Sequence, residues 1–177
     1  MEAARLMDWD HAGLALAHAA RVPWLDILFT AVTWLGSLAL LLPLALLVWW
    51  RRRGERGASF VALAVIGASA LGHLLKLITA RSRPDLFPPL ITMPDDWSFP
   101  SAHAVQVTAF ALAWLLRPRT SPRRIEIAVL FSATIVVLAS RLYLQVHFPS
   151  DVIAGAMLAT LWVLLLRRLP AWRGDAT

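Results

Sequence analysis

The sequence predicts an all-α integral membrane bundle of about five transmembrane helices preceded by an N-terminal interfacial helix. Three observations lead there. The 177 residues are 59% hydrophobic, with a mean hydropathy of +0.64. Long apolar stretches recur between polar loops, and arginines cluster at alternate ends of those stretches. A soluble domain is roughly 45–50% apolar, and a chain well above that exposes adhesive patches in water. A bilayer removes the problem. The whole chain, 1–177, reads as a single membrane-embedded domain.

Residues 1–23 form the expected interfacial segment. Leu6 to Val22 mixes Trp9, Leu14 and Leu16 with Asp8, Asp10, His11, His18 and Arg21, which suits a helix lying in the headgroup layer. A sixth span is the alternative. Glu2, Asp8 and Asp10 do not suit a cleavable signal peptide. The first span is expected over 25–50, because Ile27 to Trp50 carries no formal charge and is long enough for a ~30 Å hydrocarbon core. The second is expected over 58–79 and the third over 99–116, with His103 near its start. The fourth, 125–142, and the fifth, 150–167, have short apolar parts, Ile127 to Ser140 and Val152 to Leu166. They reach the usual ~20 residues only by including polar residues at one end. Pro88, Pro89 and Pro94 mark 80–100 as a loop with turns.

Arginine placement sets the orientation. Arg51, Arg52, Arg53 and Arg56 follow span one, Arg117, Arg119, Arg123 and Arg124 follow span three, and Arg167, Arg168 and Arg173 follow span five. Cytoplasmic loops carry the excess of basic residues, so the loops at 80–100 and 141–150 face outward and the C-terminus is cytoplasmic. That corresponds to an inner-membrane protein with its outer face at the polar loops. Trp49, Trp50, Trp114, Trp162 and Trp172 lie near inner span ends, as an aromatic belt does. Solvated loops without topological meaning are the plainer reading of the arginines, but three clusters at the correct ends argue against it. The net charge of +6 is thus a topology signal, and no nucleic-acid partner is expected. The bilayer is the expected partner. With no cysteine there is no disulfide, thiolate nucleophile or cysteine metal site.

The outward ends of spans two to five carry His73, Lys76, Arg81, Arg83, Ser101, His103, Arg141, His147 and Asp151. Ionisable groups there are costly unless they snorkel, pair or line a cavity. Each alone is readily a snorkelling side chain, but their convergence from four spans points to one polar site. Lys76, Arg83 and Arg141 suit a phosphate, since arginine forks match two oxygens and lysine adds a point charge. Ser101 is a natural N-cap, aiming the N–H groups of span three at an anion. His147 and Asp151, four apart, share a helix face, so the carboxylate holds one imidazole nitrogen and frees the other. Phosphoryl transfer needs charge stabilisation, a nucleophile and a proton for the leaving group, and this set contains all three.

Those residues resemble the type 2 phosphatidic acid phosphatases, which include small bacterial undecaprenyl pyrophosphate phosphatases. The resemblance rests on Lys76 followed by Arg83-Pro84, on Pro100-Ser101-Ala102-His103, and on Ser140-Arg141, His147 and Asp151. It implies that His147 forms a phosphohistidine, that Asp151 orients it, and that His103 protonates the leaving group and then activates water. It implies that Lys76, Arg83, Ser101, Ala102 and Arg141 bind the phosphoryl oxygens of a membrane lipid phosphate, with no metal and no cofactor. Undecaprenyl pyrophosphate is the leading substrate, with phosphatidic acid and phosphatidylglycerol phosphate as rivals. Ala102 departs from the usual glycine. It is strained if that position needs a positive φ, and fits freely if it is the first helical residue, which is the favoured reading.

Other polar residues have plainer readings. His73 is expected as a hydrogen-bonded interhelical group, although it lies one turn from Lys76. Arg81 reads equally as a second-phosphate ligand or a solvated loop residue. Asp85, Asp95 and Asp96 read as solvated loop residues and not as a metal site. Phosphate transfer to a lipid acceptor is one rival function. A non-catalytic lipid or anion transporter is another, disfavoured because binding alone does not require the His147–Asp151 pair. The vanadium haloperoxidases share a similar signature but are larger soluble proteins.

Overall fold

The computed structural model describes residues 2–53, 55, 57–118 and 121–172. Arg56, Arg119 and Arg173 of the arginine clusters lie outside the described residues. Among the described residues all regular structure is helical. The order is α1 (Glu2–Ala19), α2 (Pro23–Val32), a 3₁₀ turn (Thr33–Gly36), α3 (Leu38–Arg51), α4 (Phe60–Thr79), α5 (Ala102–Leu115), α6 (Arg124–Tyr143) and α7 (Pro149–Arg168). The chain is therefore an all-α membrane bundle. α4, α6 and α7 are each 20 residues and apolar enough to cross a membrane, about 30 Å at 1.5 Å per residue. α3 and α5 are apolar but have 14 residues each.

The range expected as one first span is divided. The helix breaks at the 3₁₀ turn, and Ser37 restarts it as the N-cap of α3, accepting the Leu40 N–H at 3.3 Å. This break puts Thr33 and Gly36 inside the bundle.

α5 is the central helix, with nine of its fourteen residues buried, from Ala104 to Ala113. Alanines on the facing surfaces, Ala64 and Ala68 of α4, Ala109 and Ala113 of α5 and Ala159 of α7, let these helices approach closely. In a membrane such packing, and not hydrophobic expulsion, holds helices together. Phe60, Val65, Val105, Phe110, Val137 and Val163 fill the gaps between them. The opposite surfaces are greasy: Ile125, Ile127, Val129, Phe131 and Ile135 of α6 are exposed, as are Leu161, Leu164 and Leu165 of α7. These faces match acyl chains.

The two ends of the bundle differ. At one end Pro118 packs at Gly57 and Phe60 meets Trp172 with ring centroids 5.5 Å apart, which gathers the arginine-bearing segments together. At the other end lie the C-terminus of α4 and the N-termini of α5 and α7. There the chain axis turns by 119° between Met7–Ala19 and Pro23–Gly36, laying α1 across the ends of α6 and α7. Gly13 makes that contact possible, because a Cβ there would stand 2.5 Å from Pro149 Cγ. Leu14 is fully buried beneath α1, and its carbonyl accepts the Gln145 side-chain amide at 2.9 Å.

Candidate active site

α4 delivers Lys76 on its last turn, almost completely buried. The helix stops at Ala80, whose left-handed conformation (φ 44°) turns the chain. Arg81 and Arg83 therefore fold back over the bundle end. The long loop returns with Ser98, whose N–H donates to the Arg81 carbonyl at 2.8 Å. Ser101 then takes the N-cap place of α5, its N–H donating to the Asp151 carbonyl at 3.0 Å. Gly155 allows α7 this close, since a Cβ there would lie 2.8 Å from the Ser101 carbonyl oxygen. α6 carries Arg141 on its last turn, and a short turn places His147 just before α7. Asp151 is the third residue of that helix, where it accepts the Phe148 N–H at 2.9 Å.

One carboxylate oxygen organises the surroundings of His147. Asp151 Oδ2 accepts the Ser98 hydroxyl and the Phe148 N–H, and lies 3.5 Å from His147 Nδ1. Ser98 Oγ is also 3.4 Å from Nδ1. With Nδ1 so engaged, Nε2 is the nitrogen that faces the cations, 3.2 Å from Arg83 Nη1. Burial lowers the His147 pKa to about 3; the hydrogen bond to Asp151 opposes the shift, and the charges of Arg141 and Arg83 add to it. The imidazole is thus neutral and keeps a lone pair on Nε2, the form that attacks an electrophile.

Arg83 is fixed from several sides. Its Nη1 donates to the Val146 carbonyl at 2.7 Å, its Nε to the Asp96 carbonyl at 2.9 Å, and its Nη2 to the Asp96 carboxylate. Arg141 is buried and donates to the Thr33 hydroxyl supplied by the 3₁₀ turn. Among the described residues its Nε has no partner, and neither has the buried Ser101 hydroxyl. Unpaired buried polar atoms are costly, and here both belong to a cluster able to receive an anion. His103, half-buried on the first turn of α5, lies within electrostatic reach of Arg141, His147, Arg83 and Asp96. A cleft of about 390 Å³ opens beside Lys76, lined also by His73, Asp96, Ala102, Val105 and Gln106.

The structure thus brings Lys76, Arg83, Arg141, Ser101, His103, His147 and Asp151 to one end of the bundle. Ala102 is the first residue of α5 and avoids positive φ, so its methyl causes no strain. Ser101 differs from the expected cap, since its side chain makes no capping bond and only its backbone occupies that place.

Three loop and helix residues stand differently from their plain readings. Arg81 is not a solvated loop residue. It donates to Asp151 Oδ1 at 2.6 Å and to Asp10 Oδ2 at 2.7 Å. Asp96 is an exposed loop residue, as expected, but it is not free: it bridges Lys76 Nζ, at 3.0 Å, and Arg83. Burial acts upward on its pKa, but hydrogen bonds from Arg83 and Lys76 hold the carboxyl below its ordinary value. His73 makes no hydrogen bond among the described residues and is exposed at the cleft. Sequence reasoning missed Ser98, Thr33 and the role of Asp10. Ser98 and Thr33 carry no charge and stand among similar residues, so nothing marks them. Asp10 had a signal, a carboxylate on an otherwise mixed helix, that burial alone makes meaningful.

Comparisons with known proteins show the family and the fold. Residues 57–175 match the PAP2 superfamily. The chain is 38% identical over 126 residues to an undecaprenyl-diphosphatase of Sulfolobus acidocaldarius, covering 69% of this chain and 58% of that protein. It is 31% identical over 170 residues to phosphatidylglycerophosphatase B of Bacillus subtilis, covering 89% of this chain and 81% of the relative. The crystal structure of a transmembrane PAP2-type phosphatidylglycerolphosphate phosphatase from Bacillus subtilis superposes with a TM-score of 0.84 at 25% identity, over 98% of this chain and 90% of that one.

Proposed function

Since this chain belongs to the PAP2 superfamily, we propose that it is an integral membrane phosphatase that removes phosphate from a lipid phosphate or pyrophosphate through a phosphohistidine at His147. One observation carries the reading: a neutral imidazole, backed by a carboxylate at Nδ1, presents Nε2 among clustered cations, where at rest it accepts from Arg83 Nη1 at 3.2 Å. In the first step Nε2 of His147 bonds to phosphorus, the phosphorus–oxygen bond to the lipid breaks, and His103 gives a proton to the departing oxygen. In the second step His103 takes a proton from water, the new oxygen bonds to phosphorus, and the phosphorus–nitrogen bond breaks. Asp151 holds the ring and offsets the positive charge it gains. Lys76, Arg83, Arg141 and the N–H groups after Ser101 hold the non-bridging oxygens. Fixed cations take the part a metal plays in other phosphatases. The site faces outward from the inner membrane, because the arginine clusters sit at the opposite end.

Undecaprenyl pyrophosphate is the leading substrate, in keeping with the first relative. Phosphatidylglycerol phosphate is the second reading, favoured by the near-complete overlap with the Bacillus subtilis proteins. The test is phosphate release by purified protein across a panel of lipid phosphates and pyrophosphates in excess chelator. Release that persists there, and that vanadate blocks as a five-coordinate phosphorus mimic, is the expected result. Loss restored only by Mg²⁺ counts against the metal-free scheme, and phospholipid product without free phosphate identifies a transferase.

Substrate phosphate takes the place that Asp96 holds between Lys76 and Arg83. Asp96→Asn therefore tightens inhibition by phosphate and vanadate about 3- to 10-fold, from ion pairs worth about 1 kcal/mol each at a part-exposed site. Unchanged or weakened inhibition shows that the anion binds elsewhere.

A further inference from the structure

We propose that Asp10 of α1 is a positioning residue for the reaction: it neutralises Arg81, so that Arg81 orients Asp151 without cancelling the negative charge Asp151 directs at His147. The inference rests on the phosphatase reading above.

The geometry is a line of alternating charge leading away from the nucleophile. Asp151 turns Oδ2 toward His147 and Oδ1 toward Arg81, whose Nη1 donates to it at 2.6 Å. The same Nη1 donates to Ser150 Oγ at 2.7 Å, and Nη2 donates to Asp10 Oδ2 at 2.7 Å. Asp10 also accepts the Ser150 N–H at 2.9 Å and the Ser150 hydroxyl at 2.6 Å. Both carboxylates are completely buried. The face of the Arg81 guanidinium lies over the Phe148 ring, 4.2 Å from its centroid.

A guanidinium forks naturally between two carboxylates. It fixes the rotamer of Asp151 and hence the direction of Oδ2. Alone, however, a part-buried cation this close would draw the carboxylate's field away from the imidazole, which must gain positive charge as phosphorus is attacked. Asp10 returns that charge, leaving one net negative charge across the three residues. Asp10 also caps the first turn of α7 from another helix, at the end where the dipole favours an anion. α1 thereby becomes part of the reaction machinery, although nothing on it touches the substrate.

A structural latch is the competing explanation, in which Asp10 only fastens α1 to α7. Kinetics of the full chain on phosphatidic acid in mixed micelles separate the two. Asp10→Asn keeps an acceptor for Ser150 but loses the charge. It lowers kcat about 10-fold with KM changed less than about 2-fold, the size expected of misdirected catalytic groups. Adding Arg81→Gln to Asp10→Asn removes the unbalanced cation, and the double variant turns over faster than Asp10→Asn alone. A latch predicts the reverse, because the double variant has lost a further tether. Should both variants lower Tm enough to obscure kcat, Arg81→Lys keeps the charges but cannot fork to both carboxylates. It is expected to lose about 10-fold in kcat at wild-type Tm and KM. The inference is overturned if Asp10→Asn matches wild type, if the double variant is the slower of the pair, or if Arg81→Lys is fully active. Wild-type protein that releases no phosphate from any lipid defeats the phosphatase reading instead, a result distinct from all three.

Discussion

His147→Ala is expected to abolish phosphate release, lowering kcat by about 10⁴-fold or more, as loss of a covalent nucleophile does. No neighbouring group replaces it. His103 is the only other imidazole of the cluster and is assigned the proton transfers, and Ser98 spends its hydroxyl on Asp151. The cations remain, so affinity for a lipid phosphate should change by less than about 5-fold, since Lys76, Arg83 and Arg141 are untouched. The measurement pairs steady-state phosphate release with equilibrium binding of phosphatidic acid to the purified variant. Intact turnover with weakened binding is the opposite pattern and would show that His147 serves recognition and not the chemistry.

His103→Gln is expected to show an effect that depends on the leaving group. An alkoxide leaving from a lipid monoester needs a proton, and removing a general acid costs about 10²- to 10⁴-fold. A nitrophenolate needs no proton. With p-nitrophenyl phosphate the variant should release a first equivalent of nitrophenolate at close to the wild-type rate and then slow, because the same residue activates water in the second step. A pyrophosphate, whose leaving group is itself a phosphate, should fall between the two. Equal losses on all three substrates would remove His103 from the proton transfers.

Much of this molecule was legible because membrane and phosphate chemistry both use residues that stand out. Runs such as Ala58–Leu75 announce helices by length and hydropathy alone. Lys76, Arg83, Arg141, His147 and Asp151 are conspicuous because charge is costly at a membrane edge. The break at Thr33–Gly36 was not read from the sequence, since the run from Ile27 to Trp50 carries no formal charge and only Thr33, Gly36 and Ser37 interrupt it there. The charges on loops and on α1 were the harder case. Asp96, Arg81 and Asp10 have the composition of solvated residues, and only the left-handed turn at Ala80 and the docking of α1 through Gly13 bring them to the site. Partner choice among charges depends on tertiary approach, which spacing along the chain does not encode. Ser98 illustrates the same limit, as one hydroxyl among several whose place beside Asp151 follows from the path of the long loop between α4 and α5.

The central claim is that phosphorus becomes bonded to His147 during turnover. Rapid quenching of the wild-type enzyme with ³²P-labelled phosphatidic acid tests it, followed by mapping of the labelled peptide. The account predicts an acid-labile, base-stable label on the peptide containing His147, formed and lost at rates that bracket kcat. Steady phosphate release with no labelled enzyme, or with the label on another residue, contradicts it.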